Sequence, residues 1–151
     1  MNEFIIISAK YLFLISLLIA GYFFVTLSLK EKKIMINLGL ISGLISLLLL
    51  KISSLLFNDP RPFVVNHVVP LIPHAIDNGF PSDHTLLTMW IAAVVSIFNK
   101  RLGIILGLLS LIVGISRVLA LVHHPIDIAG SVAIAIISVT VSMKILSKFK
   151  I

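Results

Sequence analysis

The sequence predicts an all-α fold, a polytopic transmembrane helical bundle of about five spans forming one membrane-embedded domain over residues 1–151. Three observations predict it. Of the residues, 59% are hydrophobic and 12% charged, and the mean hydropathy is +1.17, too apolar for a surface that must face water. The apolar residues lie in long unbroken runs of bilayer-crossing length. Proline, histidine and most charged residues collect where those runs end.

The first span is expected over about Phe4 to Leu29. Its apolar stretch from Tyr11 to Leu29 is longer than a signal-peptide core, so a retained helix is predicted. Further apolar runs place spans at about Ile34 to Phe57, Asp83 to Phe98, Leu102 to Val122 and Pro125 to Met143. The connection Asn58 to Ser82 carries five prolines, which predicts a loop or interfacial segment. No cysteine is present, excluding disulfides and thiolate metal sites.

Five spans set Lys30, Lys32, Lys33, Lys100, Arg101, Lys144, Lys148 and Lys150 on one face, with Lys10, Lys51, Arg61 and Arg117 toward the other. Short basic clusters between apolar runs read as topology, and no nucleic-acid partner is expected from the net charge of +6. The positive-inside rule makes the lysine-rich face cytoplasmic. All five histidines, all six prolines and every carboxylate except Glu31 then fall toward the outer face. An ionised side chain within a span costs about 2.5 to 3.5 kcal/mol unless partnered, so Lys51 and Arg117 point to a site or a pathway.

Three polar clusters lie at outward helix ends: Asp59-Pro60-Arg61-Pro62-Phe63, then Phe80-Pro81-Ser82-Asp83-His84, then Ser116-Arg117 with His123 and Asp127 beyond it. Together they resemble the signature of the type 2 phosphatidic-acid phosphatase superfamily, Lys-x6-Arg-Pro, Pro-Ser-Gly-His and Ser-Arg-x5-His-x3-Asp. The third element matches fully and the second at three of four positions, with Asp83 replacing glycine. The first matches only in Arg61-Pro62, because the lysine position is Ser54. The string from Pro60 through Leu71-Ile72-Pro73-His74-Ala75 to His84 is similar to the branch of undecaprenyl-diphosphate phosphatases associated with bacitracin resistance.

That resemblance implies a lipid phosphatase acting through a histidine nucleophile, with His123 at the nucleophile's spacing. The adjacent His124 is the competing candidate, although its position before Pro125 biases it to extended backbone. Asp127, one helical turn on, is placed to accept the imidazole Nδ1 proton, and alternatively to stabilise the start of the fifth span. His84 would protonate the leaving oxygen. Arg61 and Arg117 suit bidentate phosphate contacts, and Ser82 suits either a helix cap or a phosphate contact.

Asp83 is expected to cap, to pair with an arginine or to share a cation with substrate. Lys51 lies on the same helix face as Ser54 but roughly 4.5 Å deeper, where it would either snorkel outward or pair with a carboxylate. His74 and Asp77 would shape a headgroup site, and His67 would either join them or simply be solvated at the interface. No cofactor or metal is expected, since two arginines would repel a cation while attracting phosphate.

The implied partners are membrane lipids and a lipid phosphate or diphosphate, undecaprenyl diphosphate first, with the site on the outer face of a bacterial cytoplasmic membrane. Other lipid phosphates are the nearest alternatives: phosphatidylglycerol phosphate, phosphatidic acid and a lipid A precursor. A transporter or proton relay is a rival of another class, weakened by the lack of an evident inverted repeat. A non-catalytic lipid-binding scaffold is a third. Many relatives have six spans, so a homodimer or other partner is expected to replace an absent N-terminal element.

Overall fold

The computed structural model describes residues 2–148, all helix and connecting loop with no strand among them. Lys150, counted above with one basic face, lies outside the described residues. The helices are α1 (Asn2–Thr26), α2 (Leu29–Leu56), α3 (Pro62–Val65), α4 (Asp83–Phe98), α5 (Lys100–Leu119) and α6 (Pro125–Lys148). By length and composition, α1, α2, α5 and α6 can each cross a bilayer. The apolar α4, at 16 residues, is shorter than these four and stands where the third of the five spans was expected.

The α4 helix is the hub of the bundle. It packs against α5 and α6, while α1 closes on α5 and α2 closes on α6. Outward surfaces are aliphatic: Leu18, Leu44, Leu56 and Ile115 are all exposed, as a lipid-facing wall requires. Small residues occupy the interior instead, including the buried Ser42, Thr85, Thr88, Ser110, Ser131 and Ser138.

Small interior residues follow from the solvent. Lipid gives no hydrophobic drive between helices, so close approach and interhelical hydrogen bonds hold the bundle, each bond at roughly 0.6 kcal/mol. A Cβ on Gly103 would stand 2.4 Å from that of Ser96, so α4 and α5 nearly touch. Higher up, the Thr88 and Ser110 hydroxyls meet at 2.7 Å. Trp90 Nε1 donates to Ser42 Oγ at 2.8 Å, tying α4 to α2.

Two local features differ from expectation. The second span starts at Leu29 rather than near Ile34, because Ser28 and Glu31 form a reciprocal capping box. Lys30, Lys32 and Lys33 therefore stand on the first turn of α2 instead of in a loop. The connection after α2 contains the short α3, with Pro62 at its first position, where the missing N–H is harmless.

Candidate active site

The polar residues converge where α2 and α5 end and α4 and α6 begin. His123 sits in the turn before α6 and is 3% exposed. Its Nδ1 lies 3.1 Å from Oδ2 of the fully buried Asp127, one turn along as the spacing required. On the other side, Nε2 lies 3.3 Å from Arg61 NH1. With the Nδ1 hydrogen on Asp127, Nε2 carries the lone pair. Burial first, then the charges of Arg117 and Arg61, push His123 below the usual imidazole value, with the Asp127 hydrogen bond opposing them.

The turn that presents His123 is held by the backbone. After α5, Leu121 N donates to Val118 O at 2.9 Å and Val122 N to Arg117 O at 3.2 Å, the two bonds of a Schellman motif. Leu121 occupies its left-handed position at φ 63°, where glycine is usual and a branched side chain costs about 1 to 2 kcal/mol. Neighbouring chain offsets that strain: Phe63 N donates to Leu121 O and Leu71 N to Ala120 O, both at 3.1 Å.

Arg61 is 5% exposed. Its Nε donates to Asp77 Oδ1 at 2.7 Å and its NH1 to Val122 O at 2.7 Å, while NH2 reaches Asn78 O at 3.4 Å. Arg117 is equally buried. Its NH1 donates to Ala9 O of α1 at 3.1 Å, and its NH2 lies 3.0 Å from His74 Nε2. Burial first, then Arg61 and Arg117, push His74 below the ordinary imidazole range, so Nε2 accepts from Arg117. Arg117 Nε and His74 Nδ1 remain buried without a hydrogen-bond partner among the described residues. An anion would satisfy such donors.

The remaining predicted residues divide. His84 stands in the first turn of α4, edge-on to Phe13 with ring centroids 5.1 Å apart. Ser82 is fully buried, but its hydroxyl makes no cap bond and instead accepts from Thr85 Oγ1 at 3.2 Å. Its carbonyl accepts from Ser131 Oγ at 2.9 Å, joining α4 to α6.

Asp83 pairs with no arginine: it is exposed beside an apolar groove lined by Gly43, Leu50 and Trp90, and the carboxylate on Arg61 is Asp77. Lys51 is also exposed and forms no ion pair among the described residues, because its face of α2 turns toward lipid. At the family's lysine position, Ser54 receives hydrogen bonds from Asn78 Nδ2 through its carbonyl and hydroxyl, and so pins the loop. His67 is exposed in the loop at φ 53°.

Sequence reasoning passed over three contributors. Asn78 ties the loop to α2 and accepts from Asp59 N at 2.9 Å. At Gly79 the backbone lies against Asp127, where an added Cβ would meet Oδ2 at 3.0 Å. Asp59 Oδ2 lies 2.8 Å from His124 Nδ1, turning the second histidine away from the nucleophile position. One polar atom each of Asp59, His124 and Asp127 lies within 4.8 Å of the others. These have the donor types of a cation site, yet Asp127 Oδ2 already accepts from His123 and from His124 N. Only the Asp-Pro and Asn-Gly turn signals around Arg61 and Phe80 hinted at them.

The PAP2 superfamily model matches residues 10–151. Undecaprenyl-diphosphatase BcrC of Bacillus subtilis (strain 168) is 39% identical over 97 residues, 64% of this chain and 50% of that protein. Bacitracin transport permease protein BcrC of Bacillus licheniformis is 35% identical over 109 residues, 72% of this chain and 54% of its own length. The chain thus spans about half the length of these curated relatives. The crystal structure of Aquifex aeolicus LpxE superposes with a TM-score of 0.71 at 26% identity, over 94% of this chain and 82% of that one. With the family model covering nearly the whole sequence, and a solved structure sharing the fold, this chain belongs to the PAP2 superfamily.

Proposed function

We propose that this protein is a membrane phosphatase that removes a phosphoryl group from a lipid diphosphate, undecaprenyl diphosphate first, through a phosphohistidine. One observation carries the reading: a buried imidazole with Asp127 on Nδ1 and the Arg61 guanidinium beside Nε2. That is a nucleophile beside a phosphate clamp. The substrate is taken from the name of the Bacillus subtilis relative.

In the first step Nε2 attacks phosphorus as the bond to the leaving oxygen breaks, and His84 gives that oxygen a proton. In the second, water attacks the phosphohistidine, His84 takes the water's proton, and inorganic phosphate departs. Arg61 and Arg117 stabilise the equatorial oxygens throughout. Transport, which the name of the Bacillus licheniformis relative raises, gives no account of the His123–Asp127 pair.

Phosphate release by the purified chain from a panel of undecaprenyl diphosphate, phosphatidylglycerol phosphate and phosphatidic acid tests the reading. The diphosphate is expected to turn over fastest. Faster release from another member reassigns the substrate, and release from none ends the phosphatase reading.

The site is proposed to face outward, because the lysines at the start of α2 stand at the opposite end of that helix from Ser54 and the loop it pins. Single cysteines at Asn66 and Lys30, both exposed, spare the site and the α2 cap. On intact cells an impermeant maleimide is expected to label Asn66→Cys and not Lys30→Cys. The reverse pattern would invert the topology.

A further inference from the structure

Asp127 poses a hydrogen-bonding problem that the mechanism leaves unsolved. Its Oδ2 accepts twice, from His123 Nδ1 and from His124 N at 2.9 Å. Its Oδ1 is fully buried and has no partner among the described residues. A buried carboxylate oxygen stranded this way destabilises the fold unless a donor reaches it. Within reach lies another carboxyl, Asp59, which has an oxygen within 4.8 Å of an Asp127 carboxylate oxygen and a side chain only 18% exposed.

We infer that Asp59 keeps its proton and donates it to Asp127 Oδ1, so that Asp59 is a positioning residue behind the nucleophile. The inference rests on the phosphatase reading only for its effect on turnover. Each atom then has a consistent role. His124 Nδ1–H donates to Asp59 Oδ2, the Asp59 hydroxyl donates to Asp127 Oδ1, and Asp127 Oδ2 accepts from His123 Nδ1–H. The relay runs from the second histidine to the first, with Asp127 receiving three hydrogen bonds and held in one rotamer.

The surroundings favour this assignment. Asp59 is faced by His124 from the turn and by Asp127 from α6. The nearby cation on its own segment, Arg61, is committed to Asp77, Val122 O, Asn78 O and His123. Asn78 and Gly79 bond only the Asp59 backbone. Burial first, then the Asp127 charge and hydrogen bond, push Asp59 above the usual carboxylate value, with His124 opposing. Two adjacent carboxyls share one proton when both cannot ionise cheaply.

Asparagine keeps an N–H for Asp127 and an oxygen for His124, whereas leucine keeps neither. Asp59→Leu is expected to lower kcat about 10²-fold, the scale of a misplaced reacting group, with KM unchanged. Asp59→Asn recovers all but roughly tenfold or less of that loss. An infrared titration of the parent minus Asp59→Asn, both as purified full chains, supplies a readout independent of turnover. It is expected to show a protonated carboxyl band that persists above the usual aspartate range and is absent in the variant.

Absence of that band overturns the inference, even if the chain proves to hydrolyse no phosphate. So does Asp59→Asn as impaired as Asp59→Leu when both elute as the parent does. Loss of parent activity on chelation with recovery on added zinc also overturns it, by assigning the three side chains to a cation.

Discussion

Alanine at His123 is expected to abolish phosphoryl transfer to every substrate, by about 10⁶-fold, the scale of losing a covalent nucleophile. No change of leaving group can restore it, because the missing atom is the one that bonds phosphorus. Rapid-quench measurement with labelled substrate should trap acid-labile label on the parent and none on His123→Ala. Label on the variant would move the nucleophile elsewhere, His124 first.

The pH profile carries the same assignment. Burial and the two arginines lower the His123 pKa, so the neutral, attacking imidazole predominates at and above that lowered value. The acid limb of kcat/KM should therefore lie below that of a free imidazole. In Asp127→Asn the opposing hydrogen bond that His123 Nδ1 donates to a carboxylate is gone, which should shift that limb further toward acid while kcat falls.

His84→Ala should separate the two histidines through chemistry rather than through size of effect. With an alkoxide leaving group, loss of the proton donor is expected to cost roughly 10²- to 10⁴-fold. An activated aryl phosphate needs no such proton and should recover the first step. If His84 also activates water, phosphoenzyme should then accumulate. The position of His84 suits this work: its ring rests edge-on against Phe13, and neither ring nitrogen has a hydrogen-bond partner among the described residues. Equal losses with good and poor leaving groups would show that His84 holds structure instead.

Local signals made much of this molecule legible. The bounds of α4 follow from Ser82 and Asn99 flanking an apolar run, and His123, Asp127 and Arg117 are joined by spacing within one helix–turn–helix. What escaped was of two kinds. Some partners are far apart in sequence: Arg61 and Asp77 are 16 residues apart and Asp59 and His124 are 65 apart, and no periodicity links such pairs. Other features carry no residue-type signal. Leu121 takes the position where glycine normally announces a helix end, and the apolar sequence around Lys51 left open whether it snorkels outward or pairs with a carboxylate. The start of α2 was readable, since Ser28 and Glu31 spell a capping box, but the lysines between apolar runs obscured it.

Arg117 reaches across to the backbone of α1 and holds Ala9 O, so part of the proposed phosphate clamp hangs from the first helix. That helix has 25 residues, roughly 37 Å of length against a hydrocarbon thickness of about 30 Å. A helix longer than its bilayer tilts, and the tilt follows the thickness. Through that one hydrogen bond the placement of α1 and the placement of the Arg117 guanidinium are tied together, so a helix that meets lipid on one side is also a wall of the candidate site on the other.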